Sequence, residues 1–514
     1  MNPKFKEYIS ASGEVILYNG NPDFTKLEEL VKGAGDIWHS SFEQGYKNAF
    51  HDIIYQTIVF FWYVNDFDHL DQCVSWRLNP NQFAIRKSVW EQLGGFDSSY
   101  QNKHLQAFDF AYNALRNSGA IPMYVKSLYA LEDKEKIVIS VKDRYVFYRR
   151  NFKIEHSFFM LYRKGFWKLS EWNALFYAKR CFTKKAQAPV VAPRKLGLVQ
   201  GQPKVSYIIP TMLRQDFTLT LLEDLKNQTY RPSQVIVVDA TPKQSRNEAL
   251  YDPENYPFEV QFHWQDTKGS CRARNEAIDL CNGDYIVFGD DDIRIPPEFV
   301  ENHIRLLQTY DAGACNGLDI RADNQQQDLY DLEKKLADYD HKRWRVGATQ
   351  NFSNANSCVR TEYVRQLVGN DINYDGGYGE DGDFGISLTK IGVTVLYNPF
   401  SANLHLKPPV GGYRFWGNQS KIIGKKRKKQ PWELDAPVKH IRPIPSPTIM
   451  YQIHKQFTHQ QLIEYKHKYF SLYLFKGNML GLPLRILKLP YRILQFEKSI
   501  FYARKLMQLG KRTK

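Results

Sequence analysis

The stretch of sequence that decides the fold reads Asp284-Tyr-Ile-Val-Phe-Gly-Asp290-Asp291-Asp292-Ile-Arg-Ile-Pro-Pro-Glu298. Its apolar run 285–288 is β-branched and aromatic and follows the turn signal Asn282-Gly283, so we predict a buried strand. Three carboxylates come directly after this strand. A proline pair then precedes a helix that we predict to begin near Glu298.

The carboxylates Asp290, Asp291 and Asp292 predict a cation site at the end of this strand. Negative charges held so close together repel one another, and their hard oxygen atoms suit Mg²⁺ or Mn²⁺. In open α/β sheets, ligands bind at the carboxyl ends of the strands, where this cluster would lie. The alternative is a solvated acidic loop, which the rest of the chain disfavours.

The composition is typical of a globular protein with more than one domain. The chain has 514 residues, of which 43% are hydrophobic and 24% are charged. Its six cysteines lack the CxxC spacing of zinc sites, a pattern typical of reduced thiols in a cytoplasmic protein. No apolar signal region opens the sequence, and the longest apolar run, 53–64, is too short to cross a bilayer. We therefore expect a cytoplasmic protein without a transmembrane helix.

A net charge of +15 predicts an anionic partner, such as a nucleotide, a nucleic acid or a membrane. Much of the excess lies in the run 425–429 and in the segment 485–514. From Leu482 onward, apolar and aromatic residues alternate with Arg and Lys, as in helices that lie on anionic membrane surfaces. This pattern favours a peripheral position on the inner face of the plasma membrane. A helix packed on the protein with a solvated basic face is the alternative.

Two segments of the chain repeat the same order of features. Each has an arginine, a glycine nine residues later, and a helical pattern that ends at a further glycine: Arg86, Gly95 and Gly119 in the first, Arg360, Gly369 and Gly392 in the second. The last two glycines are 24 residues apart in the first segment and 23 in the second. When the two segments are aligned, the acidic pair Glu380-Asp381 of the second corresponds to either Gln106-Ala107 or Ala107-Phe108 of the first. We therefore predict that the first copy has lost the chemistry.

The Pro- and Ala-rich stretch 184–194 marks a linker between these copies. We predict a degenerate, non-catalytic α/β domain at 1–183, a linker at 184–202, a catalytic domain at 203–420 and a basic, helical C-terminal extension at 421–514. Strand patterns alternate with helical patterns in the catalytic domain, which predicts a Rossmann-like, mostly parallel sheet.

Six motifs follow one another in the catalytic domain: Val205-Ser-Tyr-Ile-Ile-Pro-Thr211, Val237-Val-Asp239, Ala273-Arg-Asn275, the pair Asp290 and Asp292, Gly379-Glu-Asp381, and His405. With these motifs, residues 203–415 resemble an inverting family 2 glycosyltransferase with the GT-A fold. The first domain resembles only the acceptor-side half of that fold. The chain departs from the family at Asp239-Ala-Thr241, where a second acid and Gly-Ser are more common. The resemblance therefore leaves the base of the nucleotide open.

The resemblance implies a binding site for a nucleotide sugar, such as a UDP-, GDP- or dTDP-sugar. Asp239 would accept a hydrogen bond from the base, and Arg274, near a helix start, would face the diphosphate. A surface salt bridge is the alternative for Arg274. Lys407, Arg414 and the pair Gly411-Gly412 would form a mobile lid. The full predicted donor site comprises Pro210, Thr211, Asp239, Gly269, Arg274, Asn275, Asp291, Lys407 and Arg414.

The resemblance also implies a metal and a general base. Asp290 and Asp292 would hold Mg²⁺ or Mn²⁺, unless one of them binds the ribose instead, with His405 as third ligand. A purely structural histidine is the alternative. We predict Asp381, beside Glu380, as the catalytic base, because inversion requires the acceptor hydroxyl to lose its proton. Capping of the following helix is the alternative, and Asp383 is the reserve candidate.

These features predict a metal-assisted, inverting glycosyltransferase. Its acceptor would be a glycan or a lipid-linked glycan in the synthesis of a surface polysaccharide. A nucleotidyltransferase would also use acidic strand ends but has no evident need for Glu380-Asp381. A non-catalytic protein that binds glycan or nucleic acid through its positive charge is a third reading, although nucleic acid is not the expected partner.

Overall fold

The computed structural model describes residues 3–57, 62–130, 136–185, 188–340, 343–413 and 441–514. Its α-helices are α1 (Phe24–Lys32), α2 (Ile54–Thr57), α3 (Lys87–Leu93), α4 (Lys103–Asn113), α5 (Val141–Asn151), α6 (Ile154–Lys164), α7 (Leu169–Cys181), α8 (Gln215–Lys226), α9 (Ser270–Leu280), α10 (Phe299–Thr309), α11 (Leu329–Ala337), α12 (Thr361–Gln366), α13 (Glu380–Lys390), α14 (Pro447–Gln456), α15 (His459–Phe475), α16 (Leu482–Leu487) and α17 (Leu489–Leu509).

The described part of the first domain contains a six-stranded sheet in the order β1-β2-β5-β3-β6-β4. Its strands are β1 (Lys6–Ile9), β2 (Val15–Asn19), β3 (Ile37–His39), β4 (Gln72–Val74), β5 (Phe83–Arg86) and β6 (Pro122–Val125). Strands β3 and β6 are parallel, and the remaining neighbours are antiparallel.

The described part of the second domain contains a nine-stranded sheet, β11-β15-β12-β14-β10-β7-β8-β9, with β13 beside β15. Its strands are β7 (Val205–Thr211), β8 (Gln234–Asp239), β9 (Glu259–Trp264), β10 (Tyr285–Gly289), β11 (Ile293–Arg294), β12 (Ala314–Arg321), β13 (Gly347–Ala348), β14 (Asn356–Arg360) and β15 (Val395–His405). The four strands β7 to β10 are parallel. Strand β14 runs antiparallel to both of its neighbours, so the whole sheet is mixed. An apolar strand pattern does not encode direction, which is why the sequence predicted more parallel pairing.

Strand β10 forms the centre of the catalytic sheet because its side chains are buried on both faces. Ile286 and Phe288 pack in one apolar cluster, whereas Tyr285 and Val287 pack in another. A continuous apolar run is typical of strands covered on both faces. The layers on either side hold the end of β10 rigidly where the acidic residues begin.

The two sheets share a pairing pattern. Strands β2, β3, β4, β5 and β6 pair with one another in the same directions as β10, β12, β13, β14 and β15. Residues 114–118 form a π turn after α4. Such a turn takes up one more residue than an α-helical turn, which fits the one-residue difference in glycine spacing. This pattern supports the repeat, while the degenerate origin of the first domain stays a prediction.

The two copies contact each other reciprocally. At the end of the first copy's helix, the backbone oxygen of Arg116 accepts a hydrogen bond from Arg345 Nη2 at 3.3 Å. At the end of the second copy's helix, the backbone oxygen of Lys390 lies 3.3 Å from His69 Nε2. The helix end of the first copy therefore contacts the segment before β13 of the second. The helix end of the second copy contacts the segment before β4 of the first. The domains are packed together, not merely joined by a linker.

The described residues of the predicted C-terminal extension, 441–514, pack on the catalytic domain. Helix α17 buries Phe496, Ala503 and Leu506, which join a cluster with Met450 of α14 and Ile372. The expectation of a separate basic tail therefore holds only for the exposed segment around α16. Buried residues recur at every third or fourth position of α17, so the alternative of a packed helix describes it better.

None of the helices in the described ranges is both long and apolar enough to cross a membrane.

Candidate active site

The acidic residues lie at the carboxyl end of the parallel strands, as predicted. Strand β10 ends at Gly289, and Asp290, Asp291 and Asp292 follow at once. The short strand β11 pairs with β15 so that Ile293 lies opposite His405. This antiparallel register brings a histidine that is distant in sequence to the acidic cluster.

Asp290, Asp292 and His405 have the geometry of a metal site. One ligand atom from each lies within 4.8 Å of the others. Such a spacing fits ligands arranged around one ion with bonds of about 2.1 Å. Carboxylate oxygens are ligands that Mg²⁺ and Mn²⁺ prefer, so the residues present fit a divalent cation.

A second carboxylate orients His405. Its Nδ1 atom lies 3.0 Å from Asp319 Oδ1, and its Nε2 atom lies 3.3 Å from Asp292 Oδ1. Histidines that bind metals usually hold their other ring nitrogen in this way. Burial would lower the pKa of His405, but the two carboxylates outweigh burial and raise this pKa to about 10 in the metal-free protein. Cation binding at Nε2 would therefore release a proton.

Asp291 turns away from this group and holds an arginine. Its Oδ2 atom accepts a hydrogen bond from the Thr211 hydroxyl at 2.7 Å. Arg214 Nη1 donates to Asp291 Oδ1 at 3.0 Å and to Asp292 Oδ2 at 2.9 Å. Burial raises the pKa of Asp291, although the charge of Arg214 opposes the rise. Thr211 and Asp291 therefore support Arg214 at the edge of the metal group.

Arg274 pairs with Asp290 of the metal group, and its charge also acts on the predicted base, Asp381. It lies in the first half of α9 and donates from Nη2 to Asp290 Oδ1 at 2.5 Å. Asn354 holds Asp381: its Nδ2 donates to Asp381 Oδ1 at 2.5 Å, and a hydrogen bond from its backbone lowers the pKa of this carboxyl. Burial raises the pKa of Asp381 to about 6, with Arg274 opposing the rise and Asp290 adding to it. The structure thus places a carboxylate of raised pKa beside the cation site.

The other acids of the Glu380-Asp381 motif have different surroundings. Asp383 accepts hydrogen bonds from Gln456 Nε2 at 2.6 Å and from Lys455 Nζ at 2.8 Å. These contacts tie α13 to α14, so Asp383 is structural. Glu380 is buried in the first turn of α13.

The predicted base-binding residue, Asp239, lies at the end of β8 within an aromatic group. Its Oδ2 atom accepts a hydrogen bond from the Tyr251 hydroxyl at 2.9 Å, and its Oδ1 atom accepts one from the Thr241 amide at 2.7 Å. Tyr251 is stacked on Phe262 with ring centres 4.4 Å apart. Pro210 is buried within β7. A nucleotide base would have to displace or join the Tyr251 hydroxyl at Asp239.

The start of α9 is already occupied by a carboxylate. Asp375 Oδ1 accepts a hydrogen bond from the Cys271 amide at 2.7 Å. A Cβ atom at Gly269 would lie 2.1 Å from Asp375 Oδ2, so glycine is required for this close approach. The helix start that we expected to face a diphosphate therefore faces Asp375 instead.

Two further predicted donor residues, Asn275 and Lys407, do not join the cluster. Asn275 Nδ2 donates to the backbone oxygens of Asn370 at 2.9 Å and Thr513 at 2.8 Å, which ties the C-terminus to the domain. Lys407 is exposed. Arg414 lies outside the described residues, as does the basic run 425–429.

The glycine pair packs against Arg214. Both Gly411 and Gly412 have φ of +83°, and a Cβ atom at Gly411 would lie 2.6 Å from Arg214 Cγ. Arg214 Nε also donates to the backbone oxygen of Val410 at 3.2 Å. This segment therefore closes over the arginine at the edge of the metal group.

Sequence reasoning missed Arg214, Asp319, Tyr251 and Asn354. Arg214 and Asp319 carry a weak signal, because each is a charged residue at or just after the carboxyl end of a predicted strand. Tyr251 and Asn354 lie in irregular segments. No spacing in the sequence points to either of them.

Residues 206–368 match the family described as glycosyl transferase family 2. An uncharacterized glycosyltransferase, YibD of Escherichia coli K12, is 33% identical over 122 residues, 23% of this chain and 35% of that protein. An uncharacterized glycosyltransferase, YwdF of Bacillus subtilis 168, is 30% identical over 149 residues, 28% of this chain and 54% of that protein. The chain thus spans about a third to a half of the length of these two relatives.

Among solved structures, the mannosyltransferase PcManGT from Pyrobaculum calidifontis, in complex with GDP-Man and Mn²⁺, is 18% identical with a TM-score of 0.35. The alignment covers 62% of this chain and 90% of that one. The sequence relatives and the family match agree with the sheet and motifs described above. The architecture is α/β, and residues 206–368 carry the sequence pattern of glycosyl transferase family 2.

Proposed function

We propose that this family 2 glycosyltransferase domain transfers a sugar, with inversion, from a nucleotide sugar to a hydroxyl of a glycan or lipid-linked acceptor. The product would be a surface polysaccharide. One observation carries the proposal: the metal group Asp290, Asp292 and His405 lies close enough to the partly buried Asp381 that the charges of Asp290 and Arg274 both act on its pKa. A transferase of this kind needs a site for the departing diphosphate and a base for the acceptor within reach of one sugar carbon.

The donor would lie across the carboxyl ends of β7, β8 and β10. Asp239, with Tyr251 beside it, offers hydrogen-bonding atoms to a base, and the stacked ring of Tyr251 offers an apolar wall. A bound Mg²⁺ or Mn²⁺ supplies positive charge to the leaving diphosphate. Asp290, Asp292 and His405 would hold this ion, and Arg214 would move from the carboxylates toward the phosphates.

Asp381 would accept the proton of the attacking hydroxyl. Asn354 would hold this carboxylate in position for the acceptor. The pKa of about 6 is high enough for a useful base and low enough for ionisation at neutral pH. The positive charge of Arg274 would offset the repulsion between Asp290 and Asp381 and favour the ionised form of Asp381.

The test is turnover of a panel of UDP-, GDP- and dTDP-sugars with Mg²⁺ or Mn²⁺ and glycan acceptors. The proposed reaction releases a nucleoside diphosphate and a glycan extended by one sugar. Release of pyrophosphate would show a nucleotidyltransferase instead. Tight, salt-sensitive binding of nucleic acid without turnover would show a binding protein.

The proposed place of action is the cytoplasmic face of the membrane, with the protein bound peripherally. The support is the exposed apolar and basic surface around α16, where Leu480 and Leu487 are 89% and 77% exposed. A lipid-linked acceptor would reach the active site from this side of the bilayer.

A further inference from the structure

A groove of about 770 Å³ lies between the two domains, next to the candidate active site. It is lined by β12, β13 and the segment after α11 from the catalytic domain, and by the end of α4 from the first domain. Asp319, which orients His405, forms part of its wall, as does Ser353, the neighbour of Asn354. The groove therefore leads directly to the residues that surround Asp381 and the metal group.

Two arginines and two tyrosines concentrate positive charge and ring surface in this groove. Arg343 Nη1 donates to the Tyr339 hydroxyl at 2.9 Å, and its guanidinium lies 5.2 Å from the centre of that ring. Arg345 and Tyr397 line the same groove as this pair. Burial raises the pKa of Tyr397 to about 12, while Arg343 and Arg345 oppose the rise. Within the described ranges, neither arginine has a carboxylate at ion-pair distance.

Arg345 is held in an unfavourable setting for a cation. Burial and the charge of Arg343 lower its pKa, and its Nη2 contacts only the backbone oxygen of Arg116. The guanidinium groups of exposed Arg343 and half-buried Arg345 repel each other, and Asp340, which also lines the groove, partly offsets the charge at Arg343. An anion between them would remove this repulsion and accept hydrogen bonds from both.

Gln350 gives an independent indication that something polar binds here. Its side chain is only 1% exposed, and neither its Oε1 nor its Nε2 has a hydrogen-bond partner. A buried amide without partners is costly, and such groups are rare in folded proteins. Since Gln350 lines the groove, a polar ligand would satisfy it.

The first domain completes the groove. Gly119 has φ of +86°, and a Cβ atom there would lie 2.8 Å from the Val346 backbone oxygen. This glycine brings the end of α4 against β13 and the arginine segment. The first domain, although it lacks the acidic motif, therefore helps to shape the wall opposite Tyr397.

We propose that this groove binds the acceptor and selects an acceptor that carries phosphate. Arg343 and Arg345 hold the phosphate. Gln350 forms a hydrogen bond with a neighbouring sugar or phosphate oxygen. The inference rests on the proposed transferase function. Guanidinium groups bind phosphate oxygens in pairs, and the tyrosine rings suit the faces of sugars. Phosphate of this kind occurs in a lipid diphosphate headgroup and in the phosphodiesters of a charged polymer.

The test is calorimetric binding of three probes to the full chain: decyl diphosphate, a glycerol phosphate oligomer and uncharged decyl glucoside. We expect one or both phosphate probes to bind and the glucoside not to bind. The double variant Arg343→Gln/Arg345→Gln should weaken phosphate binding at least tenfold, and Gln350→Met should weaken it less. Arg231→Gln, an exposed arginine at the opposite end of the sheet, should leave it unchanged.

Metal-dependent binding of UDP and GDP, measured on the same samples, separates the two proposals. The double variant should bind the nucleotide like wild type. Phosphate binding that is equal in wild type and double variant, or absent in both, would overturn the groove proposal even if the nucleotide binds. If wild type binds the phosphate probes but binds neither UDP nor GDP, the transferase function is overturned instead.

Discussion

At the scale of single residues, Asp292 connects most of the candidate site. It contacts His405 on one oxygen and Arg214 on the other. We predict that Asp292→Asn abolishes Mn²⁺-dependent binding of the donor nucleotide, because a neutral amide is a poor ligand for a hard cation. Calorimetry with and without Mn²⁺ measures this, and circular dichroism checks the fold. Wild-type activity that persists in excess EDTA would contradict the metal role.

The second residue-scale prediction contrasts two acids of one helix. Asp381→Asn should lower kcat by on the order of 10²–10⁴, because the amide cannot accept the proton, while donor binding is kept. Asp383→Asn should instead lower the melting temperature, because it disrupts the contacts with Lys455 and Gln456, and should change kcat only a few-fold. If Asp383→Asn is inactive and Asp381→Asn retains activity, the base has been assigned to the wrong carboxylate.

The pH profile follows from the raised pKa of Asp381. The ionised form is the base, so activity is present above about pH 6 and should fall about tenfold per pH unit below it. Measurement of kcat/KM between pH 4.5 and 8.5 gives the profile. In Asp381→Asn, the residual rate should lose this acid limb. If the variant keeps the decrease in activity at acidic pH, that decrease is due to the titration of a group other than Asp381.

Some of these residues were predictable and others were not. Asp290, Asp292, His405 and Asp381 belong to motifs that recur in order, so the resemblance could place them. Arg214 and Asn354 reach the site only through the three-dimensional paths of β7 and the loop before β14. Asn275 and Gly269 occupy motif positions, but their contacts are with Thr513 and Asp375. A motif therefore indicates a position without indicating which group the side chain contacts.

At the scale of elements, the contact of α4 with β13 is sensitive to one glycine. We predict that Gly119→Ala lowers the melting temperature more than Gly94→Ala does. Both positions have positive φ, which costs an alanine about 1–2 kcal/mol. Only at Gly119 would the new Cβ atom also meet backbone, 2.8 Å from Val346 O. Differential scanning fluorimetry compares the two variants. Equal shifts would show that the domain contact adjusts without cost.

The positions of most strands and helices followed from apolar runs and glycines, but their directions and starts did not. Helix α13 begins at Glu380 with an acidic first turn, which an apolar pattern does not reveal. Strand β15 extends from Val395 to His405. Long-range pairing with β11 and β12 stabilises this strand, and single-sequence patterns do not contain such partners.

At the scale of the whole molecule, the repeat in the sequence corresponds to two sheets with the same pairing pattern. Its spacing in sequence could not show that the copies meet reciprocally or that a groove forms between them. In the C-terminal region, the sequence pattern alone could not distinguish two kinds of helix. Its alternating apolar and basic residues fit a membrane helix and a packed helix equally well. The structure distinguishes them segment by segment, with α17 packed and α16 exposed.

Membrane binding is therefore best tested at α16 by substitution. A deletion from Leu480 would remove α17 and expose Met450 and Ile372, so it would test folding instead. We predict that wild type sediments with vesicles containing anionic lipid, and that salt weakens the binding without abolishing it. Each cation near the surface contributes about 1 kcal/mol, and the apolar side chains add interfacial burial.

The double variant Leu480→Glu/Leu487→Glu should stay in the supernatant and keep turnover on a soluble acceptor, since neither side chain packs on the catalytic domain. Leu198→Glu, the same change at a linker position that is 75% exposed, should sediment like wild type. If the double variant sediments as well as Leu198→Glu does, or wild type ignores anionic vesicles, then α16 does not bind the membrane. In that case a lipid-linked acceptor would have to reach the groove beside Arg343 without help from this helix.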